Sequence, residues 1–227
     1  YYCNPIQYAE HRKTLENVIC TAGKFGATHV STFAGAWEGK PVESAYEEFG
    51  KVFRELADLA EEKGVKLGIE NCLMDGTWEH ATCNIGFNPK AWEVMFEEVK
   101  NDNFGLEWEP THQMVQLIDP VTELRKWCKK IVHIHGKDAT IDWDAVRHSG
   151  ISGAVPFVWH RMPGFGDTNW RDIISILRSN GYEDDICIEG YHDPVYSGEL
   201  EMTGQLHALN YLKWCRGGEF TPTPWAK

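Results

Sequence analysis

Residues 131–138 read IVHIHGKD. A run that opens like a buried strand puts His133, His135 and Lys137 at alternate positions, where an ordinary core strand carries Val or Leu. Side chains alternate across a strand, so these three polar groups share one face while Val132, Ile134 and Gly136 take the other. A face of that kind is stable only if something other than hydrocarbon solvates it.

The same design recurs along the chain. ATHVSTFAG (27–35), GVKLGIENC (64–72), NFGLEWEP (103–110), KIVHIHGKD (130–138) and DDICIEG (184–190) are short, mostly apolar, and fringed by Gly, Asn or Asp, as strands are. Helical patterns lie between them. Residues 9–25 place Leu15, Val18, Ile19 and Ala22 at three-four spacing, and 43–63 do so with Phe49, Val52, Phe53, Leu56, Leu59 and Ala60. Pro89 opens 89–100, Pro120 behind Asp119 opens 120–130, TNWRD opens 169–180, and 201–215 supplies one more helix.

Strand and helix in strict alternation, with crossovers of this length, give a parallel sheet with helices outside it. An open doubly wound sheet and a barrel both meet that description, but no glycine-rich phosphate fingerprint follows the first strands. Polar residues instead sit at the C-terminal end of nearly every strand, where barrel active sites are built. The expected fold is therefore a TIM (β/α)8 barrel, with residues 1–227 forming one domain.

Four strand ends carry donors at alternate positions: Glu70 with Cys72, Glu107 with Glu109, His133 with His135, and Glu189 with Tyr191. A lone strand-end Glu is usually a solvated carboxylate, and a lone inward His a satisfied core residue. Donors on four strands together are hard to obtain from a core pattern. Carboxylates pooled without a cation raise one another's pKa, so a divalent metal is the economical explanation. Oxygen ligands with one imidazole suit Mn2+, with Mg2+ or Co2+ as substitutes, and Cys72 is a poor ligand because nothing else in the set is soft.

Composition narrows the partners. A net charge of -12 over 227 residues, with no basic block longer than a pair, argues against nucleic acid or an anionic membrane. No apolar run reaches the ~18 residues of a membrane span. Seven scattered cysteines without CxxC fit free thiols in a reducing compartment, the cytoplasm. Oligomeric state, including a homo-oligomer, is left open.

GIENC, GLEWEPTH, IVHIHGKDA, RMPGFGDTNWRDIISILRSNGY and ICIEGYHDP stand in the order and spacing of the sugar phosphate isomerase/epimerase superfamily. The chain resembles its xylose-isomerase-like TIM barrels from YYCNP to about residue 196. The resemblance implies a divalent metal held by Glu70, Glu109, His135 and Glu189, with Glu70 and Glu189 also moving protons. It makes His112 and Arg161 substrate contacts; His133 and Lys137, on the polar face of 131–138, are expected to bind substrate from their own placement. The resemblance departs at Glu109, where the superfamily usually has Asp, and Glu107 is a rival ligand two residues earlier. In the resembling barrels YYCNP ends the third strand, so about the first two βα units are absent here. The expected parent is longer by roughly 50 to 80 residues.

The implied activity is a metal-dependent sugar isomerase or epimerase acting on a ketose or related polyol through an enediolate. Two alternatives share the site: an inosose-type dehydratase, and a sugar-binding barrel without turnover. An endonuclease of abasic DNA, also found in the superfamily, would need more His ligands and a basic face.

Overall fold

The computed structural model describes residues 3–218 and 221–223. Their backbone contacts group into two compact units, residues 1–135 with 184–187, and 136–183 with 188–227.

The first unit is built from α1 (Ala9–Ala22), β1 (His29–Thr32), α2 (Tyr46–Glu62), β2 (Lys66–Glu70), α3 (Pro89–Glu98), β3 (Phe104–Trp108), α4 (Pro110–Met114), α5 (Pro120–Trp127) and β4 (Ile131–Gly136), joined by most of β7 (Ile186–Ile188). The strands form one sheet in the order β1-β2-β3-β4-β7, the first four paired in parallel. All five strand expectations are met, and each βα crossover places its strand beside the preceding one. Helix starts follow the expected chemistry. The Asn88 and Asp119 side chains accept from Lys90 N and Thr122 N, with Pro89 and Pro120 in the first turns of α3 and α5. The strand end expected at YYCNP begins at Tyr1 and Tyr2, outside the described residues; Asn4 and Pro5 lie in no strand.

Alternation along β2 and β3 separates a dry face from a polar one. Leu67, Ile69, Leu106 and Ile134 are fully buried, as are Phe49, Phe53 and Trp92 on the covering helices. The rings of Phe49 and Phe53 stack at 4.6 Å, and Phe104 lies 6.1 Å from Phe53. The opposite face carries Gly68 beside Gly105, and Glu70 beside Glu107.

One expectation fails on β4. Leu106 pairs with Ile131 but Glu107 pairs with His133, so Val132 is the extra residue of a bulge. A Cβ on Gly68 would lie 2.8 Å from Val132 Cγ2, and one on Gly105 would lie 2.6 Å from Val132 Cγ1. Val132 therefore covers the two glycines on the polar face instead of standing with Ile134. Small residues at 68 and 105 admit that close approach.

The second unit contains an antiparallel pair, β5 (Asp138–Ile141) and β6 (Val158–Arg161), with α6 (Trp143–Ser149) in their connection, then α7 (Trp170–Ser179) and α8 (Glu201–Arg216). Asp138, fully buried, accepts from the backbone N–H groups of Gly164 and Thr168. A Cβ on Gly166 would lie 2.3 Å from Asp138 Oδ1. The Asp of HGKD thus anchors the PGFGDT loop of this chain. Among the described residues no helix is long and apolar enough to cross a membrane.

Candidate metal centre

Three strand ends of the first unit converge. Glu70 closes β2, Glu107 and Glu109 flank Trp108 at the end of β3, and His135 lies near the end of β4. The short helix α4 begins at Pro110, directly after Glu109, and brings His112 back over the same point. Donor atoms of Glu70, Glu109 and His135 all lie within 4.8 Å of one another. His112 Nε2 is 3.2 Å from Glu109 Oε1 and 3.7 Å from Glu70 Oε1.

Glu107 and Glu109 are both fully buried and both turned to this face, with different jobs. Glu107 Oε1 meets His135 Nδ1 at 2.9 Å, whereas Glu109 Oε2 stands 3.7 Å from it. A carboxylate on one ring nitrogen is the usual way to fix a metal-binding imidazole. Glu109 is the member that clusters with Glu70. Its backbone is clamped by Asn71, whose Oδ1 accepts from Glu109 N at 2.7 Å and whose Nδ2 donates to Glu109 O at 2.9 Å. Asn84 Nδ2 similarly donates to the carbonyls of Glu70 and Cys72 at 2.8 Å. Neither Asn was singled out from the sequence; the only signal was an amide next to the strand-end Glu in GIENC.

The donor set fits a divalent cation. Two carboxylates and an imidazole come together, and buried carboxylate charge in low dielectric is stabilised strongly by an ion. Ring nitrogens of His112 and His135 reach carboxylates of this face, at 3.2 Å from Glu109 and 2.9 Å from Glu107. His133 lies further down β4, stacked on His29 at 4.0 Å and edge-on to His135 at 5.5 Å. Burial, then the neighbouring His29 and His135, pushes its pKa down to about 4, so it is neutral at physiological pH.

A second triad shares Glu70: Glu70, Cys72 and His112 also present donor atoms within 4.8 Å of one another.

In the second unit, Lys137 is almost fully buried and its Nζ donates to Glu189 Oε1 at 2.9 Å. Glu189 follows β7, and its N–H donates to Gly136 O at 3.1 Å. Arg161 Nε donates to the buried Asp193 at 3.3 Å, and its guanidinium lies 5.8 Å from the Phe165 ring centroid. The cluster seen in the first unit therefore contains three of the four expected ligands, with His112 and Glu107 around them.

Consecutive parallel strands that end in carboxylates and imidazoles define a TIM-barrel protein with its site at the C-terminal strand ends. The chain belongs to the xylose isomerase-like TIM barrel family, whose sequence profile matches residues 4–213. An inosose dehydratase of Clostridium tetani is 26% identical over 182 residues, covering 78% of this chain and 57% of the relative. The chain thus spans little more than half the length of that curated relative. Among solved structures, D-psicose 3-epimerase in the presence of D-fructose superposes with a TM-score of 0.67 at 16% identity, covering 92% of this chain and 72% of the other. The IOLI protein with a bound zinc atom superposes with a TM-score of 0.64 at 22% identity, covering 91% and 68%. These structural likenesses speak to the fold, and the five strands in their order are part of a (β/α)8 barrel wall.

Proposed function

We propose that this chain carries the metal centre of a divalent-metal-dependent enzyme that enolises a ketose or polyol ketone, as a sugar isomerase or epimerase does. The observation that carries the reading is the convergence of Glu70, Glu109 and His135 within 4.8 Å. These three would hold the ion, with Glu189 proposed as fourth ligand from its place in ICIEG. The oxygen-rich set favours Mn2+, with Mg2+ or Co2+ as substitutes. When bound, the ion would supply Lewis-acid stabilisation of charge on the substrate's carbonyl and neighbouring hydroxyl oxygens.

The chain's own residues handle the protons. Glu70, partly exposed at its strand end, is the proposed base that takes the proton from the carbon beside the carbonyl. Glu107 keeps the His135 ring oriented through Nδ1, and His112 is placed to donate to a substrate oxygen. Glu189, which accepts from Lys137 Nζ at 2.9 Å, is the proposed second carrier that returns a proton. Arg161, His133 and Lys137 remain proposed substrate-side residues. The substrate is a small polyol, and the proposed compartment is the reducing cytoplasm, in keeping with seven free cysteines.

A second reading, dehydration of an inosose, is favoured by the inosose dehydratase relative. It shares the proton abstraction and differs in what leaves: a hydroxyl group beta to the carbonyl departs as water. The test is incubation of the full-length parent with Mn2+ in heavy water. Deuterium in a recovered or epimerised ketose supports the first reading, and a dehydrated diketone from an inosose supports the second. Glu189→Gln should remove most turnover with the fold intact; full activity in that variant sinks the two-carboxylate mechanism. No turnover with either substrate class, despite tight Mn2+ binding, leaves a sugar-binding barrel.

A further inference from the structure

Cys72 lies two residues beyond Glu70 and comes within 4.8 Å of both the Glu70 carboxylate and a His112 ring nitrogen. Its neighbourhood is softer than the sequence suggested. Met74 Sδ stands 3.2 Å from Cys72 Sγ. The backbone is bent to bring it there: Met74 and Asp75 have φ of 51° and 57°, a left-handed pair that non-glycine residues adopt at a cost. Thr82 Oγ1 donates to Met74 O at 2.7 Å and Asn84 Nδ2 to Cys72 O at 2.8 Å, so side chains from the next loop hold this turn.

We propose that Glu70, Cys72 and His112 form a second, thiolate-containing position for a zinc-type dication, alternative to the position at Glu70, Glu109 and His135. One sulfur, one nitrogen and one oxygen make a donor set that zinc and cadmium accept and manganese disfavours. Binding replaces the thiol proton by the ion: the S–H bond breaks, the metal–sulfur bond forms, and the proton leaves to solvent. Glu70 belongs to both sets, so the two positions compete for its carboxylate. A soft ion at Cys72 takes from the hard position one of its three clustered ligands. Excess zinc is therefore expected to displace manganese instead of adding to it.

The test uses Cd2+ added to the 227-residue chain, reduced with a phosphine so that no small thiol competes. A saturable ultraviolet thiolate-to-cadmium charge-transfer band should appear, be lost in Cys72→Ser and Cys72→Ala, and persist in Glu109→Gln. Mn2+ binding, read from its free-ion paramagnetic resonance signal, should show the opposite pattern, surviving Cys72→Ser and weakening in Glu109→Gln. As the cadmium band saturates, free Mn2+ should rise in step. Absence of the band, its survival in both Cys72 variants, or its loss in Glu109→Gln would overturn the separate position; a saturated band with Mn2+ still bound would overturn the competition. If Mn2+ never binds while the Cys72-dependent band appears, the hard metal centre fails and the thiolate position stands. Circular dichroism of each variant confirms that the fold is kept.

Discussion

Asn71 does more for the candidate centre than its place beside Glu70 suggests. Both ends of its buried amide are spent on the backbone of Glu109, a residue 38 positions away. That clamp fixes where β3 ends and α4 begins, and so sets the positions of both Glu109 and His112. Asn71→Ala should cost about 1–3 kcal/mol of stability, because two buried backbone groups lose their partner. It should also weaken Mn2+ binding about 10- to 100-fold, the usual effect of loosening a ligand's support. Urea melts and a manganese titration measure the two effects; unchanged affinity would show that the Glu109 carboxylate is held by its own packing. The contrast with Glu70, Glu109 and His135 explains what a sequence reveals at this scale. Alternation marks those three as candidates together with Cys72, Glu107 and His133, and the family resemblance chooses among them, whereas an amide that reaches another strand leaves no periodic trace.

At the scale of elements, the five parallel strands and the six longer helices were legible from short apolar runs and helical spacing, with capping side chains at Asn88, Asp119 and Asn169 marking the starts of three helices. The expected strand at 103–110 is observed at Phe104–Trp108, and the helix opening at TNWRD begins at Trp170 with Asn169 accepting from Asp172 N. Asn169→Ala should therefore lower stability by about 1 kcal/mol, read as a shift in urea midpoint. The β5–β6 pair was not legible, since sixteen residues, seven of them in α6, separate its strands and neither strand shows a clean alternation of burial. Helix α4, five residues long, is too short for a hydrophobic stripe. The β4 bulge depends on Gly105, where a Cβ would sit 2.2 Å from Lys130 O. Gly105→Ala must push β3 and β4 apart where Glu107 and His133 pair. We expect a loss of 1–3 kcal/mol or more, together with weaker Mn2+ binding. A melt indistinguishable from the parent would mean that the strands absorb the methyl group without moving the bulge.

Over the whole chain, which carries a net charge of -12, the half-buried His160 and the buried His133 are expected to contribute acid sensitivity. His160, in the second unit, has its pKa driven from 6.5 to about 4, chiefly by burial and then by Lys137 and His192, with Glu189 acting in the opposite sense. His133, in the first unit, is driven to about 4 by burial, His29 and His135, opposed by Asp184 and Asp185. Above pH 6.5 each imidazole is neutral whether folded or unfolded, and neither affects stability. Between 6.5 and about 4 the unfolded chain takes up these protons and the folded chain does not, so unfolding is favoured progressively as pH falls. Below about 4 both states are protonated and the added loss levels off. Metal-free protein should therefore lose stability steeply from pH 6.5 to 4, before its ordinary carboxylates are largely protonated. Urea midpoints across this range measure the slope, and His160→Gln should make it shallower while changing little above pH 7. An unaltered slope in that variant would place the His160 ring in water and assign the acid sensitivity to His133 and the carboxylates.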